Sequence, residues 1–385
     1  MSASPEPSLY DPLGADFPMR LPEAYRALRD LHPVYRHPER GCYVLSRFED
    51  VKWAAADPGL FSSEGTFVGA ELMPMIVALD PPRHDRLRAL VTRAFSPKRV
   101  AAMEPRVRAI AGELLDALPA DAACDLLPGF AWQLPSRVIG ELIGIPRERQ
   151  AAFLAWTEAL VGFDPTGANA DRGVFGAMYA EFAKLLAERR EERRDDLMSA
   201  LLDAEIEGER LSQPELLGFC FVLITAGNDT TANLIGNGAA LLARHPEARR
   251  LLAADPSLIP DAVEEMLRLD SPAQQLPRRT TREVERHGVT IPARSEVLLL
   301  WGAANRDERQ FPEPDRFDVT RRPRHLAFGH GAHFCLGANL ARLEARIAFE
   351  ALLARFPGFS LAGEPAWQRS FWARALATLP VRLGG

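Results

Sequence analysis

The sequence predicts a mainly α-helical protein with a minor β part. Ala-, Leu- and Arg-rich stretches with apolar residues at helical spacing occupy most of the chain. Runs rich in β-forming residues are few and short. No Gly/Ser linker, low-complexity run or internal repeat divides the 385 residues. We therefore expect a single domain over 1–385, beginning with a Pro-rich, extended lead-in over 1–20.

Helices are predicted where composition and periodicity agree. One of them is indicated by a shared apolar face, formed by Leu87, Leu90, Val91 and Ala94. Four further stretches are rich in strong helix formers, namely 99–118, 147–161, 174–190 and 336–355.

Strands and loops account for the remaining patterns. Strand signals lie at 41–46 and at 288–300, where a turn separates two β-rich runs. The tail from 356 alternates apolar runs with Pro and Gly, which predicts short strands. Residues 60–80 are predicted to form a loop with unusually many apolar side chains.

The longest predicted helix begins at a capping box formed by Ser212 and Glu215, with Leu211 before it as a possible staple, and ends before Pro246. About 33 residues at 1.5 Å each make a helix of roughly 50 Å. Residues 219–226 are apolar on every face, which predicts burial all round. A glycine and four polar residues then follow at 227–231. A buried helix that becomes polar at its midpoint indicates a functional site.

Composition excludes several classes of protein. The net charge of −6 argues against nucleic acid as a partner. No signal peptide is recognisable at the start, and the longest apolar runs fall far short of the roughly 18 residues that span a bilayer. The cysteines are scattered without a CxxC pair, at positions 42, 124, 220 and 335. We expect a cytoplasmic monomer without a membrane span.

The strongest local motif is the decapeptide 328–337, with the sequence FGHGAHFCLG. Its glycines permit a tight backbone whose amides point inward. Cys335 directly precedes the helical stretch 336–355, so the helix dipole and free N–H groups are expected to favour a thiolate. A thiolate is the ligand that equips iron to activate oxygen.

Two other interpretations of the cysteines remain open. A single cysteine is usually a small buried apolar residue, which we expect of Cys42, Cys124 and Cys220. A zinc site could be built from His330, His333 and Cys335, but no fourth ligand is evident and zinc leaves the glycines unexplained.

The decapeptide resembles the haem-binding loop of the cytochromes P-450. Phe328, Gly331, Cys335 and Gly337 match each fixed position of the family pattern, and the resemblance extends over roughly 10–383. It implies the cytochrome P-450 fold, in which a long central helix lies over a haem and the cysteine loop lies on the opposite face. It also implies haem b with Cys335 as the iron ligand, and O2 as a reactant.

The resemblance assigns a structural role to a Glu-x-x-Arg pair, here Glu265 and Arg268, on a helix behind the haem. By itself this spacing indicates only an i,i+3 ion pair. The family adds a third member, for which Arg316 is expected. This buried network would fix the haem loop.

The polar midpoint of the long helix resembles the oxygen-binding groove of the family. Ala226 and Gly227 would leave room for oxygen, while Asp229 and Thr230 would deliver protons. The alternative is that the threonines bond back to the helix and merely bend it.

Haem carries two propionates, which require cations. His84 and Arg88 are four residues apart beside an apolar stripe, and the resemblance adds Arg278 and His333. Arg279 is the alternative to Arg278. A solvent-facing helix surface is the alternative for His84 and Arg88.

Electrons must come from another protein, because no nucleotide-binding motif is present. The resemblance implies a ferredoxin and a ferredoxin reductase, fed by NAD(P)H. We expect a basic patch to steer an acidic ferredoxin, and ordinary exposed arginines are the alternative. The patch would consist of Arg93, Lys98, Arg99, Arg342 and Arg346.

The resemblance also locates a substrate pocket, with core packing as the rival interpretation of every residue. Its expected walls are Phe67, Val68, Leu72, Met73, Met75, Leu223, Ile224, Ala226, Leu276, and Phe371 or Trp372. Apolar walls predict a hydrophobic substrate, such as a terpenoid, steroid, fatty acid or polyketide. The helices at 147–161 and 174–190, joined by 162–173, would form a movable lid.

The sequence therefore predicts a haem-thiolate monooxygenase that inserts one oxygen atom into a C–H or C=C bond. Two other hypotheses are a haem-binding sensor or electron carrier without turnover, and a zinc-dependent hydrolase. The Asp229–Thr230 pair argues against family members that consume peroxides, which often lack it.

Overall fold

The computed structural model describes residues 9–14, 16–66, 74–119, 122–161, 172–206 and 208–384. Their helices are α1 (Phe17–Leu31), α2 (Phe48–Ala56), α3 (Arg83–Ala94), α4 (Pro97–Ala102), α5 (Glu104–Asp116), α6 (Gln133–Ile143), α7 (Arg147–Val161), α8 (Arg172–Glu191), α9 (Leu197–Asp203), α10 (Gln213–Arg244), α11 (Pro246–Ala254), α12 (Ile259–Leu269), α13 (Trp301–Ala304) and α14 (Ala338–Arg355).

The strands of the same residues are short. They are β1 (Val34–Arg36), β2 (Tyr43–Leu45), β3 (Phe61–Ser62), β4 (Ala123–Asp125), β5 (Glu205–Ile206), β6 (Glu209–Arg210), β7 (Leu276–Thr280), β8 (Val284–Arg286), β9 (Val289–Ile291), β10 (Glu296–Leu299), β11 (Ser360–Leu361), β12 (Ala366–Trp367), β13 (Leu376–Thr378) and β14 (Pro380–Arg382). The predicted mainly α architecture with a minor β part is confirmed.

Two predicted elements differ from the structure. The stretch 99–118 is not one helix, because α4 ends at Ala102 and α5 begins at Glu104 with a proline in its first turn. A proline has no N–H to continue the preceding helix, so it favours a new start. The prediction of an extended segment over 1–20 is also wrong for its last residues. Helix α1 begins at Phe17, and its Leu21, Tyr25 and Leu28 are buried.

Helix α10 has 32 residues and confirms the predicted capping box, since Ser212 and Glu215 each accept a hydrogen bond from the other's backbone N–H. It packs against α6, α7, α8, α12 and α14. Gly238 permits the closest crossing, because a Cβ there would lie 2.5 Å from the Phe349 ring of α14 and 2.7 Å from the Met266 sulfur of α12. The glycine therefore fixes how near α14 lies to the central helix.

A five-stranded sheet in the order β1-β2-β10-β7-β3 lies beside the helices. β10 runs parallel to β2 and antiparallel to β7, with Val297 opposite Arg278. The chain's end is held by a second sheet in the order β11-β14-β4. Within the described residues, no helix has the combined length and apolarity that crossing a bilayer demands.

Candidate functional site

A cavity lies between α10, the beginning of α14, β7 and the decapeptide loop. Among the predicted residues it is lined by Cys335, Phe328, Gly337, His333, His84, Arg88, Arg278, Ala226, Gly227, Thr230, Leu223 and Leu276. The structure thus brings most of the candidate cofactor-binding residues to one place, although they come from four separate parts of the chain.

The cysteine loop is held by its own backbone and by α2. The Cys335 N–H donates to the Phe328 carbonyl over 2.8 Å. Gly331 has a φ of 72°, and a Cβ there would lie 2.6 Å from the Ala55 carbonyl oxygen at the end of α2. The residues that line the cavity do not include Gly331. Gly331 permits the loop to approach α2, and its predicted contact with the cofactor stays a prediction.

The environment of Cys335 contains opposing effects. Burial raises the pKa of the Cys335 thiol, while the Gly337 and Ala338 amides and the Arg88 and Arg342 guanidiniums lower it, and burial has the larger effect. The amides at the start of α14 favour the thiolate, as the sequence predicts, but they do not outweigh burial by themselves. A metal ion at the sulfur supplies the charge that keeps a coordinating thiol deprotonated.

Four cationic or titratable side chains meet at one side of the cavity. The His84 and His333 rings are 4.3 Å apart, and His333 Nε2 lies 3.1 Å from the Ser63 hydroxyl. Burial and the neighbouring Arg278, His84 and Arg88 lower the pKa of His333 to about 3. His333 is therefore a neutral imidazole near neutral pH.

The two arginines of this group make hydrogen bonds only to carbonyl groups among the described residues. Arg88 donates to the Phe334 carbonyl over 2.6 Å, and Arg278 donates to the Pro277 carbonyl over 2.7 Å. Neither forms an ion pair at contact distance in the described parts of the chain, although the Asp80 carboxylate acts on Arg278 electrostatically. Arg278 is buried, whereas Arg279 is exposed, so the strand register selects Arg278. Two unpaired guanidiniums beside a cysteine fit the two carboxylates of a haem.

The polar midpoint of α10 is continuous helix. The Thr230 hydroxyl donates to the Ala226 carbonyl over 2.7 Å, as in the back-bonding alternative, yet the residue also lines the cavity. A Cβ on Gly227 would meet only Ile139, at an ordinary 3.5 Å. Protein packing therefore leaves the glycine unexplained, which is consistent with space kept for a ligand.

Asp229 has a partner that the sequence prediction missed. Asn233, one helical turn later, donates to the Asp229 carboxylate over 3.2 Å. Burial raises the pKa of Asp229 to about 6, and the Asn233 bond opposes this shift. The i,i+4 spacing of the two residues was the available signal. Near neutral pH this carboxyl group can both hold and release a proton.

The network behind the loop contains Glu265 and Arg268, both fully buried and joined by two hydrogen bonds of 2.7 and 2.8 Å. The Arg316 side chain is not its third member, and Arg316 joins the network only through its backbone carbonyl, which accepts a hydrogen bond from Arg268 over 3.3 Å. The Arg316 side chain is exposed and bonds Glu313 over 3.0 Å, whereas Arg321 donates to Glu265 over 3.2 Å. Both are arginines in one loop, so residue type could not distinguish them.

This network reaches the cysteine loop through Asn305. Arg268 donates to the Asn305 carbonyl over 2.9 Å. The Asn305 side chain in turn accepts from the Leu326 N–H over 2.6 Å, two residues before the decapeptide. The buried ion pair therefore positions the loop through backbone contacts.

The apolar wall differs from its prediction. Leu223 and Leu276 line the cavity, but Ile224 does not, because the next residue on a helix points about 100° away. Phe371 and Trp372 also lie elsewhere, in a core cluster near the chain's start, and Arg40 stacks on Phe371 at 4.7 Å. The wall is completed by residues that the prediction missed, including Ile76, Val77, Ile139, Phe219 and Val222. Phe67, Val68, Leu72 and Met73 lie outside the described residues.

The predicted basic patch is largely neutralised. Arg342 makes two bonds of 2.7 and 2.9 Å to Glu264, Arg346 contacts Glu104 at 2.8 Å, and Arg99 lies 3.4 Å from Asp195. Lys98 is exposed and has no ion pair with a described residue. The side chain of Arg93 is not among those described.

The remaining cysteines and histidines form no metal site among the described residues. Cys42 and Cys220 are buried, and Cys124 is half-buried. In the ranges that the structure describes, no three His, Cys, Asp or Glu side chains are grouped as a metal site. A single-cysteine ligand to a cofactor-borne metal is the chemistry that these donors fit.

Comparison with known proteins gives concordant results. The family model described as Cytochrome P450 matches residues 168–255 and 257–370. The chain is 44% identical to a vitamin D(3) 25-hydroxylase of Pseudonocardia autotrophica, with 94% of this chain and 93% of that protein covered. It is 45% identical to the 6-deoxyerythronolide B hydroxylase of Saccharopolyspora erythraea, with coverage of 94% and 95%.

A solved structure is similar over nearly the whole chain. It is that of cytochrome P450 CYP109Q5 from Chondromyces apiculatus, with a TM-score of 0.91 and 41% identity. The alignment covers 97% of this chain and 98% of that one.

Proposed function

Because the chain belongs to the cytochrome P450 family and is a monooxygenase that uses haem b and O2, we propose that it hydroxylates or epoxidises a hydrophobic small molecule with electrons from a ferredoxin. One observation carries the proposal. A single apolar cavity holds a cysteine, two guanidiniums that form no ion pair at contact distance among the described residues, and the Thr230 hydroxyl. The family receives these electrons from NAD(P)H through redox partners.

Each part of the cavity has a separate task in this proposal. Cys335 holds the iron, while Arg88 and Arg278, with His84 and His333, hold the propionates. The bound haem supplies the redox centre at which oxygen is activated. Phe328 and Gly337 border the same space and leave it apolar and open to a flat ligand.

Proton delivery is assigned to α10. Asp229 carries a proton on its carboxyl group in part of the molecules near neutral pH, because burial raises its pKa to about 6. The Thr230 hydroxyl donates its hydrogen to the Ala226 carbonyl and presents its oxygen to the cavity as an acceptor. Asn233 holds the Asp229 carboxylate in place.

The substrate class follows from the walls and from the relatives. Leu223, Leu276 and Ile139 give the cavity an apolar surface. The two relatives described above are named for vitamin D(3) and 6-deoxyerythronolide B. We propose a bulky terpenoid, steroid, fatty acid or polyketide-like substrate. The test is a screen for compounds that shift the ferric haem spectrum, followed by mass spectrometry of products made with NADPH, ferredoxin and ferredoxin reductase.

Asp229→Asn is expected to lower product formation by about 100-fold, because a positioned general acid contributes at least that much. The measurement is steady-state turnover with a solvent isotope effect, and Asp203→Asn, at an exposed carboxylate, is the control. The folded pKa of Asp229, about 6, exceeds the unfolded value of 3.8, so this group makes stability fall as pH rises from about 4 to 6. Asp229→Asn should remove that contribution. A variant with full turnover would contradict the assignment.

Reduction by ferredoxin is expected to slow when Lys98 is replaced by Glu, because Lys98 has no ion pair, unlike the other patch residues whose side chains the structure describes. The rate is measured by stopped flow under carbon monoxide at increasing ionic strength, which screens exposed charges. Lys184→Glu, on the exposed surface of α8, is the matched control. Equal rates in both variants, or indifference to salt, would remove the electrostatic steering.

A further inference from the structure

Glu264 and Arg342 form an ion pair beside the cysteine loop, and no step proposed above uses either residue. Arg342 donates from Nε to Glu264 Oε1 over 2.7 Å and from Nη2 to Glu264 Oε2 over 2.9 Å. The two bonds join α14 to α12, which pack against each other. A pair of this fork shape fixes the guanidinium more strictly than a single contact between exposed charges does. Arg342 therefore has a defined place in the fold.

The guanidinium of Arg342 lies against the cysteine loop. Its central carbon is 4.5 Å from the centre of the Phe328 ring. The Phe328 carbonyl in turn accepts the hydrogen bond of the Cys335 N–H over 2.8 Å, and Phe328 lines the haem cavity, whereas Arg342 does not. Although burial raises the pKa of the Cys335 thiol, the Arg342 charge acts in the opposite direction. The cation is thus one side chain away from the expected metal ligand.

Glu264 is a permanent anion in this arrangement. Burial alone would raise the pKa of its carboxyl group, but Arg342 and the nearby His325 outweigh burial and lower the pKa to about 2. His325 Nε2 lies 3.2 Å from Glu264 Oε2 without the geometry of a hydrogen bond, so Arg342 is the main partner. Among the described residues, Glu264 bonds no member of the decapeptide. Its charge therefore acts on the loop from behind Arg342.

Two opposite charges at unequal distances from a redox centre change the energy of an added electron. Reduction adds one electron to the ferric iron and makes the centre more negative by one charge. A nearby cation stabilises that charge, and a more distant anion opposes the cation only in part. Arg88 is the other cation that acts on the cysteine, but it lines the cavity and has the haem propionates to bind.

We propose that Arg342 and Glu264 are positioning residues that set the reduction potential of the haem, with the guanidinium raising it and the carboxylate limiting that rise. The pair acts on the equilibrium of electron transfer and not on the docking of a redox partner, which is the role that the sequence suggests for Arg342. The inference requires Cys335 as the iron ligand, but it requires neither a ferredoxin nor a particular substrate.

Equilibrium redox titration of the haem-loaded protein, with dithionite and mediator dyes, tests the proposal without a protein partner. Arg342→Gln is expected to lower the equilibrium constant for reduction about tenfold, since it removes a cation at an effective dielectric constant of about 20. For a one-electron couple, tenfold corresponds to about 59 mV. Glu264→Gln is expected to raise the constant about threefold, because it leaves the cation uncompensated. The double variant should lie between the two single variants.

Arg346→Gln is the matched control, one helical turn later on α14. Arg346 also contacts two carboxylates, those of Glu104 at 2.8 Å and Glu350 at 3.0 Å. Its removal should change the equilibrium constant by less than about twofold. Shifts of the same sign in Arg342→Gln and Glu264→Gln would show that a loosened loop, and not charge, moves the potential, and would overturn the proposal. Unchanged potentials in both variants, or an equal shift in the control, would overturn it as well.

Arg342→Lys keeps the charge and removes the fork, so its equilibrium constant should stay within about threefold of the natural value. A tenfold decrease in this variant would overturn the proposal, even if Arg342→Gln failed to bind haem. The reduced carbon monoxide spectrum of each variant shows whether thiolate ligation is retained. Failure of the proposed function would be distinguishable, because a haem-loaded protein that forms no product still has a measurable reduction potential.

Discussion

Cys335→Ala is expected to abolish the long-wavelength Soret band that a thiolate-ligated haem gives under carbon monoxide in the reduced state. Cys335 is the cysteine that lines the cavity, and its sulfur is the expected iron ligand. Alanine at this position has no atom that could bind the metal. Turnover should fall to background at the same time. The measurement is the reduced carbon monoxide difference spectrum, with haem content determined separately.

The control for this variant is Cys124→Ala, at a half-buried cysteine on β4. Its spectrum should match that of the natural protein. Far-ultraviolet circular dichroism of both variants measures whether the helices are retained. An unaltered spectrum in Cys335→Ala would contradict the haem assignment as a whole.

Arg268→Ala is expected to destabilise the protein by about 3–5 kcal/mol, because it leaves the fully buried Glu265 carboxylate without its main partner. Arg316→Ala, at the exposed arginine that the sequence analysis favoured, should change stability by less than about 0.5 kcal/mol. Denaturant unfolding of the haem-loaded proteins, followed by circular dichroism and by the Soret band, gives both values.

Arg321 supplies the discriminating comparison. Arg321→Ala should be clearly more destabilising than Arg316→Ala, because Arg321 donates to Glu265 and to two loop carbonyls. If Arg316→Ala instead matched Arg268→Ala in its effect, the network described above would be incorrect. Loss of the Soret band before loss of helix in Arg268→Ala would show that the ion pair serves the cysteine loop first.

Local signals predicted the parts of the fold that local chemistry determines. The capping box at Ser212 and the proline at 246 defined α10 to within a residue at each end. The glycines of the decapeptide predicted a tight loop, and Gly329 and Gly331 have the positive φ values that glycine tolerates.

Predictions failed where contacts between distant residues decide the outcome. Arg321 and Glu265 are 56 residues apart in sequence, and nothing local ranks Arg321 above Arg316. Phe371 has the apolar character of a pocket residue, yet the chain end packs it against a different core.

The contact between Gly331 and α2 has a consequence for how the metal ligand is assembled. The Ala55 carbonyl leaves no room for a side chain at position 331, so the loop takes its shape against a helix formed some 280 residues earlier in the chain. Helix α2 thereby constrains the backbone conformation of the cysteine loop. We therefore expect haem binding to require that α2 and the cysteine loop have packed together. Bulky replacements at Ala55 should weaken haem binding, although Ala55 does not line the cavity.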